Sequence, residues 1–225
     1  MQQPDFTTLS LTLADQIAEV RLNRPDKSNA INEAMWQEIR QAFAWIDATP
    51  EARVVILSGA GKNFCAGIDL AMLAGVQQRI AHADGARSRE ALRRLILDLQ
   101  DCLSSLERCA KPVIAAIQGA CVGGALDLVT CCDLRYASAD ATFSIKEIDI
   151  GMVADVGTLQ RLPRLIGEGQ ARELAYTGRT LNGQEAEKLG LANRLFATPA
   201  ELEAGVRQIA RSIAAKSPLA IRGTK

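Results

Sequence analysis

Short apolar runs alternate with longer amphipathic stretches along most of the chain. The runs at 53–58 and 111–117 are rich in Val, Ile and Ala and are predicted to be buried strands. Between them, apolar residues from Leu92 to Leu106 recur every three or four positions, which predicts a long helix over 88–107. Strands that alternate with helices in this way predict an α/β fold with a mainly parallel sheet.

Local signals add further elements. Two alternating segments, 7–13 and 16–22, predict a β-hairpin with its turn at Ala14-Asp15. Glycine turns within 64–70 and 119–127 each lead into a helix. The remaining predictions are short strands over 132–136 and 142–145, a helical pattern after Leu159, and helices over 32–47, 167–176, 182–189 and 201–215. No internal repeat or low-complexity linker marks a second independent domain.

Composition excludes several classes of protein. The chain has 225 residues, 48% of them hydrophobic, which is enough to bury a large core. Its 26 basic and 26 acidic residues balance, so the charge favours no nucleic acid partner. The N-terminus lacks the apolar core of a signal peptide, and no apolar run reaches membrane-spanning length. We therefore predict a cytoplasmic protein with no membrane partner.

Metal and nucleotide motifs are weak. None of the six cysteines forms a Cys-x-x-Cys pair, and the single histidine, His82, lies in a polar stretch, so we predict buried, reduced cysteines and no metal site. The segment 59–62 resembles the end of a P-loop, but Ile56 and Asn63 stand where that motif needs glycine and Ser or Thr. A phosphate-binding loop is therefore not predicted.

Four carboxylates stand in otherwise apolar sequence: Asp127, Glu147, Asp149 and Asp155. A buried carboxylate without a partner has a raised pKa, which is the property of a general acid or base that works near neutral pH. We therefore predict that several of these acids share one pocket.

Each acid also has a structural interpretation. Asp127 could form a salt bridge with Arg135, and Asp155 could cap a helix. Glu147 and Asp149 would share one face of a strand and could both point to solvent.

The two glycine turns offer a different kind of chemistry. Backbone N–H groups at a glycine turn or at the start of a helix can point at a developing oxyanion. Either turn alone is more commonly a simple connection. They would form an oxyanion hole only if both N–H groups meet at one oxygen.

Five segments, in order along the chain, resemble the enoyl-CoA hydratase/isomerase (crotonase) superfamily. They lie at 24–25, 64–69, 115–124, 132–133 and 157–163. The resemblance runs from about Leu11 to the C-terminus. It implies a crotonase-like ββα spiral core over 1–195 and a helical C-terminal part that begins within 196–225. The family usually continues with further helices, so this part looks truncated.

The same resemblance implies an acyl-CoA thioester as substrate and no separate cofactor, because CoA is part of the substrate. It implies an oxyanion hole made by the N–H groups of Ala66 and Gly124, and an adenine end near Lys27 and Ala30. Substrate contacts are implied for Lys27, Ala30, Ala66, Gly67, Ile68, Asp69, Leu70 and Gly124. A homotrimer or homohexamer is implied as well.

Within the superfamily the acids decide the reaction. Hydratases carry two glutamates and typically have glycine where this chain has Asp155. The trio Asp127, Glu147 and Asp155 is similar to the Δ3,5-Δ2,4-dienoyl-CoA isomerase subfamily, which implies an isomerase that converts 3,5-dienoyl-CoA to 2,4-dienoyl-CoA. Asp155 would then be the base at C2, Glu147 the acid at C6, and Asp127 would tune the pair. The alternatives are an enoyl-CoA hydratase that uses Glu147 and Asp127, and a non-catalytic acyl-CoA-binding protein.

Overall fold

Strands and helices alternate through residues 2–225, the part of the chain that the computed structural model describes. The strands are β1 (Leu9–Ala14), β2 (Ile17–Leu22), β3 (Val54–Gly59), β4 (Val113–Ile117), β5 (Ala120–Val122), β6 (Leu134–Ser138), β7 (Thr142–Ser144), β8 (Leu181–Asn182) and β9 (Arg194–Phe196). The helices are α1 (Glu33–Ala48), α2 (Leu70–Arg79), α3 (Gly85–Arg108), α4 (Gly124–Thr130), α5 (Thr158–Ile166), α6 (Glu168–Thr177), α7 (Gly183–Leu189), α8 (Pro199–Ala214) and α9 (Pro218–Thr224). Two 3₁₀ turns, Pro25–Lys27 and Glu147–Ile150, complete the regular structure of these residues.

The main sheet has six strands in the order β1-β2-β3-β4-β6-β9. Only β1 and β2 pair in antiparallel fashion, and the other neighbours are parallel. The predicted hairpin is confirmed, although its turn falls at Asp15-Gln16, where both residues have positive φ. A smaller sheet pairs β5, β7 and β8. The mainly parallel α/β arrangement predicted from the alternating pattern is confirmed.

Both faces of the main sheet are covered, as expected for parallel strands that read as continuous apolar runs. On one face, α1 buries Trp36, Ile39 and Phe43 and packs against α3. On the other face, α8 packs over a cluster that includes Ile56 and Ile114. Helix α8 lies within 196–225, so part of this segment covers one face of the main sheet.

The predicted elements agree with the observed ones to within a few residues. Strands β5, β8 and β9 are too short to give a periodic signal and were not predicted, and neither was α9. The segment with Glu147 and Asp149 forms a 3₁₀ turn rather than a continuation of β7. No helix among residues 2–225 combines the length and apolar character needed to cross a membrane.

Candidate active site

The two glycine turns lie side by side. Gly67 has a φ of +89°, and a Cβ there would lie 2.5 Å from the carbonyl oxygen of Val122 and 3.3 Å from the nitrogen of Gly124. Only glycine permits so close an approach of one backbone to the other. The turns that precede α2 and α4 therefore converge at one place, beside the first residue of α4.

Backbone pairing decides which N–H groups are free in the first turn. The N–H of Ala66 donates to the oxygen of Ser28 at 2.9 Å. Ile31 donates to the oxygen of Gly67 at 2.7 Å, and Asp69 donates to the oxygen of Ile31 at 3.0 Å. The N–H of Ala66 is thus already engaged, and its assignment to an oxyanion hole is wrong.

The free N–H groups belong to Ile68 and Gly124. In the bridge to Ile31, the groups on either side of Ile68 make the hydrogen bonds, so the N–H of Ile68 points away from that partner. Gly124 is the first residue of α4, whose N–H has no partner within the helix. Neither N–H donates to any group within residues 2–225. A Cβ at Gly124 would lie 3.6 Å from the nitrogen of Ile68, so both donors face the same small space.

Asp127 lies on α4 and is fully buried. Its Oδ1 accepts the N–H of Thr158 at 2.6 Å, whereas Oδ2 has no hydrogen-bond partner. Burial raises its pKa to about 7; hydrogen bonds from Thr158 oppose the rise and the charge of Glu147 adds to it. The salt bridge with Arg135 is wrong, because the Arg135 guanidinium donates to the oxygens of Leu191 and Cys132. Asp127 instead caps the start of α5.

Glu147 enters the site from the second 3₁₀ turn. A Cβ at Gly123 would lie 3.0 Å from its Oε1, and its Oε2 is buried without a partner. Burial raises the pKa of Glu147, backbone hydrogen bonds oppose the rise, and the charge of Asp155 adds to it. Asp149 points outward and pairs with Lys146 at 2.8 Å. The solvent-facing interpretation therefore holds for Asp149 and fails for Glu147.

Asp155 lies in an irregular segment between the second 3₁₀ turn and α5. Its side chain is half-buried, and this burial raises its pKa, while a hydrogen bond from its own backbone opposes the rise. It is not a helix cap, because Gly157 occupies the N-cap position of α5 and the N–H of Thr158, the first residue of the helix, donates to Asp127 instead. The carboxylate is thus not engaged in capping α5.

A cavity of about 320 Å³ brings these groups together. Its polar members are Glu147 and Asp155, and the N–H-bearing residues Ile68 and Gly124 also line it. The remaining lining is apolar and comes mainly from α2 and α3: Trp36, Met72, Leu73, Val76, Leu92, Leu95, Ile96, Leu99, Met152, Val153 and Val156. Asp127 does not line the cavity but lies behind its wall. It is close enough to Glu147 for the charge of Glu147 to raise the pKa of Asp127. The site therefore combines two neighbouring free backbone N–H groups, two acids that line the cavity, and a space for a hydrocarbon chain.

Comparison with known proteins identifies the family. The model of the enoyl-CoA hydratase/isomerase family matches residues 12–225. The chain belongs to this family. It is 50% identical over 205 residues to the peroxisomal Δ(3,5)-Δ(2,4)-dienoyl-CoA isomerase of Arabidopsis thaliana, which covers 91% of this chain and 74% of that protein. It is 43% identical to the mitochondrial isomerase of the same name from Homo sapiens, over 100% of this chain and 70% of that protein.

Solved structures confirm the predicted crotonase-like fold. The enoyl-CoA hydratase of Bacillus anthracis is 35% identical, has a TM-score of 0.86, and is matched over 96% of this chain and 80% of that chain. An enoyl-CoA hydratase/isomerase from Xanthobacter autotrophicus gives a TM-score of 0.87 at 31% identity, over 98% of this chain and 78% of that chain.

The other predicted substrate contacts of this family member surround the first glycine turn. Lys27 is exposed, and the oxygen of Ala30 accepts a hydrogen bond from Arg24 at 2.6 Å. Asp69 pairs with Arg24 at 2.9 Å, which lowers the pKa of Asp69, and caps α2 through the N–H of Ala71. The carboxylate of Asp69 is thus engaged in fixing the turn, and the adenine site near Lys27 and Ala30 stays a prediction.

One cysteine helps to shape the site: the Sγ of Cys65 accepts the N–H of Gly67 at 3.4 Å in the first glycine turn. The six cysteines are free and buried, as predicted. Within residues 2–225 no three His, Cys, Asp or Glu side chains are grouped so that they could hold a metal ion.

Proposed function

We propose that this protein is a Δ3,5-Δ2,4-dienoyl-CoA isomerase. The observation that carries the proposal is the pair of cavity-lining acids, Glu147 and Asp155, beside the two free amides of Ile68 and Gly124. The names of the relatives from Arabidopsis thaliana and Homo sapiens support the same reaction. The substrate is a 3,5-dienoyl-CoA and the product a 2,4-dienoyl-CoA.

The two amides make the first proton removable. When the N–H groups of Ile68 and Gly124 hold the thioester oxygen, loss of a proton from C2 puts negative charge on an oxygen that already has two donors. In a 3,5-diene this charge delocalises along the chain as far as C6. The apolar lining of the cavity excludes water and strengthens these interactions.

Two separate acids are needed, because one side chain cannot easily serve both C2 and C6. Asp155 takes the proton from C2, and Glu147 delivers a proton to C6, which leaves double bonds at C2 and C4. Burial raises the pKa of both acids, which suits Glu147 to carry a proton and Asp155 to accept one. The charge of Glu147 adds to the rise in the pKa of Asp127, and by the same repulsion a charged Asp127 would tune the titration of Glu147.

The hydratase alternative requires Glu147 and Asp127 to act together on one substrate. Asp127 is fully buried behind the cavity wall, and its Oδ1 is engaged with Thr158. This geometry favours the isomerase, in which Asp127 need not touch the substrate. A non-catalytic acyl-CoA-binding protein would not need three acids with raised pKa values.

The test is incubation with a 3,5-dienoyl-CoA and, separately, with a 2-enoyl-CoA. We expect absorbance of a conjugated 2,4-dienoyl thioester from the first and little hydration of the second. Asp155→Asn should reduce isomerisation by roughly 10²–10⁴ with little change in binding. Asp149→Asn, which removes an exposed acid from the same region, is the matched control and should retain activity. Hydration without isomerisation, unaffected by Asp155→Asn, would support the hydratase instead.

Assembly and location complete the proposal. The family supports an acyl-CoA substrate, and we propose a homotrimer or homohexamer, to be tested by light scattering of the purified protein. We retain the cytoplasm as its location, although the names of the relatives from Arabidopsis thaliana and Homo sapiens give peroxisomal and mitochondrial proteins. Fractionation of the source cells decides between these compartments.

A further inference from the structure

The segment that carries Asp155 has no regular secondary structure to hold it. Residues 152–157 form an irregular connection between the second 3₁₀ turn and α5. A general base must be held close to its proton, and a displacement of about 1 Å can lower a rate by roughly 10²-fold. The contacts that fix this segment therefore matter for the reaction as much as the carboxylate itself.

Gln100 makes the most direct of these contacts. It lies on α3, and its Nε2 donates to the backbone oxygen of Asp155 at 2.5 Å. Ser104 lies four residues after Gln100, and Glu107 lies three residues after Ser104, so the three side chains lie along one face of α3. This face of α3 is turned toward the segment with the base.

Arg161 makes the second contact, from the first turns of α5. Its Nη1 donates to the oxygen of Val156 at 3.3 Å, and its Nη2 donates to Ser104 at 3.1 Å and to Glu107 at 2.7 Å. The side chain is only 14% exposed. One guanidinium thus joins the backbone next to Asp155 to the same face of α3.

Gly157 has the conformation that this arrangement needs. Its φ is +128°, and a Cβ at this position would lie 1.6 Å from Nη1 of Arg161. The guanidinium is therefore packed directly against the backbone of Gly157, where no side chain fits. The Arg161 side chain therefore passes over the backbone of the 152–157 segment on its way to α3.

Helix α3 also lines the cavity through Leu92, Leu95, Ile96 and Leu99. The same helix thus contacts the space for the acyl chain through residues 92–99 and holds the segment with the base through Gln100 and the residues after it. We propose that Gln100 and Arg161 are positioning residues that hold Asp155 at C2 of the substrate by binding its segment to α3. This inference rests on the proposed isomerase function.

The first test replaces Gln100 with methionine, which is similar in length and volume but cannot donate a hydrogen bond. We expect kcat for 3,5-dienoyl-CoA to fall about 10- to 100-fold with KM nearly unchanged. The kinetic isotope effect with substrate deuterated at C2 should rise, because proton removal by a misplaced base becomes rate-limiting. A purely structural role would leave the isotope effect unchanged.

Gln37→Met is the matched control. Gln37 Nε2 donates to Asp98 on α3 at 3.1 Å, so this variant removes an amide hydrogen bond to the same helix, far along the chain from the base segment. Its kcat and isotope effect should remain within about twofold of wild type. Arg161→Lys keeps the charge but lacks the fork of donors that reaches both Val156 and α3. We expect it to lie between wild type and Arg161→Met in kcat.

Hydrogen–deuterium exchange of the free protein gives a readout that does not need activity. Peptides that cover 152–158 should exchange at least about tenfold faster in Gln100→Met and Arg161→Met than in wild type or Gln37→Met. If the wild-type protein exchanges slowly at 152–158 but does not isomerise 3,5-dienoyl-CoA, the proposed function fails. Faster exchange of these peptides in the variants would still support the anchoring of the segment. The inference is overturned if Gln100→Met matches Gln37→Met in exchange, or if it exchanges faster yet keeps wild-type kcat and isotope effect.

Discussion

Replacement of Asp127 by asparagine should make the folded protein more stable at neutral and alkaline pH. Asp127 is fully buried, and one of its oxygens has no hydrogen-bond partner. Asparagine preserves the shape and the Oδ1 acceptor that binds the N–H of Thr158, but it carries no charge. The variant therefore removes the cost of an ionised group in a site that disfavours it.

The pKa of Asp127 gives the size of the effect. Burial, opposed by Thr158 and aided by Glu147, raises this pKa from 3.8 to about 7. The folded state thus holds a proton that the unfolded state has lost, so wild-type stability falls as pH rises from about 4 to about 7. The difference between the two values corresponds to roughly 4 kcal/mol, which is an upper limit for the stabilisation by Asp127→Asn above about pH 7.

The assay is urea unfolding followed by circular dichroism at several pH values between about 4 and 8. The variant should exceed wild type by a few kcal/mol at about pH 8, and this gap should close as the pH approaches about 4. Asp149→Asn, at an exposed acid, should show no such pH-dependent gap. A variant that is less stable than wild type at about pH 8, or a gap that does not change with pH, would show that ionised Asp127 does not destabilise the folded protein.

Three further predictions concern the cavity. Gly124→Ala should fold normally, since its Cβ would lie 3.6 Å from the nitrogen of Ile68, but it should lower the rate about 10²- to 10³-fold because the methyl group intrudes on the space for the thioester oxygen. Gly75→Ala, whose Cβ would have no atom within 4 Å, is the control, and equal rates for the two variants would contradict the prediction. Glu147→Gln should stop product formation while deuterium from solvent still enters C2, and normal turnover would exclude Glu147 as the C6 acid. Leu95→Trp should fill part of the cavity of about 320 Å³ and reduce kcat/KM for long acyl chains more than for short ones, and an unchanged ratio would show that the chain lies elsewhere.

Repeating patterns made the fold predictable from the sequence. The apolar runs that became β3 and β4, and the periodic helix that became α3, carry signals that extend over many residues. Strand β9 has only three residues, and its place beside β6 depends on contacts across the sheet rather than on local sequence. Such pairing has no local signal to read.

The candidate site was predictable as a set of residue types but not as a geometry. The glycine turns and the three acids could be named from the sequence, yet the assignment of Ala66 to the oxyanion hole was wrong, because its N–H donates to Ser28 while the pairing with Ile31 leaves the N–H of Ile68 free. The bond from Thr158 to Asp127 spans 31 residues. Alternation along a strand and a bond between distant segments become visible only when the chain is folded.

The most direct measurement is a crystal structure of the protein with bound 2,4-dienoyl-CoA. We expect the thioester oxygen to lie within about 3.2 Å of the nitrogens of both Ile68 and Gly124. We also expect the carboxylate of Asp155 beside C2 and that of Glu147 beside C6. A thioester oxygen outside the reach of both amides, or a C2 atom that does not face Asp155, would contradict these assignments.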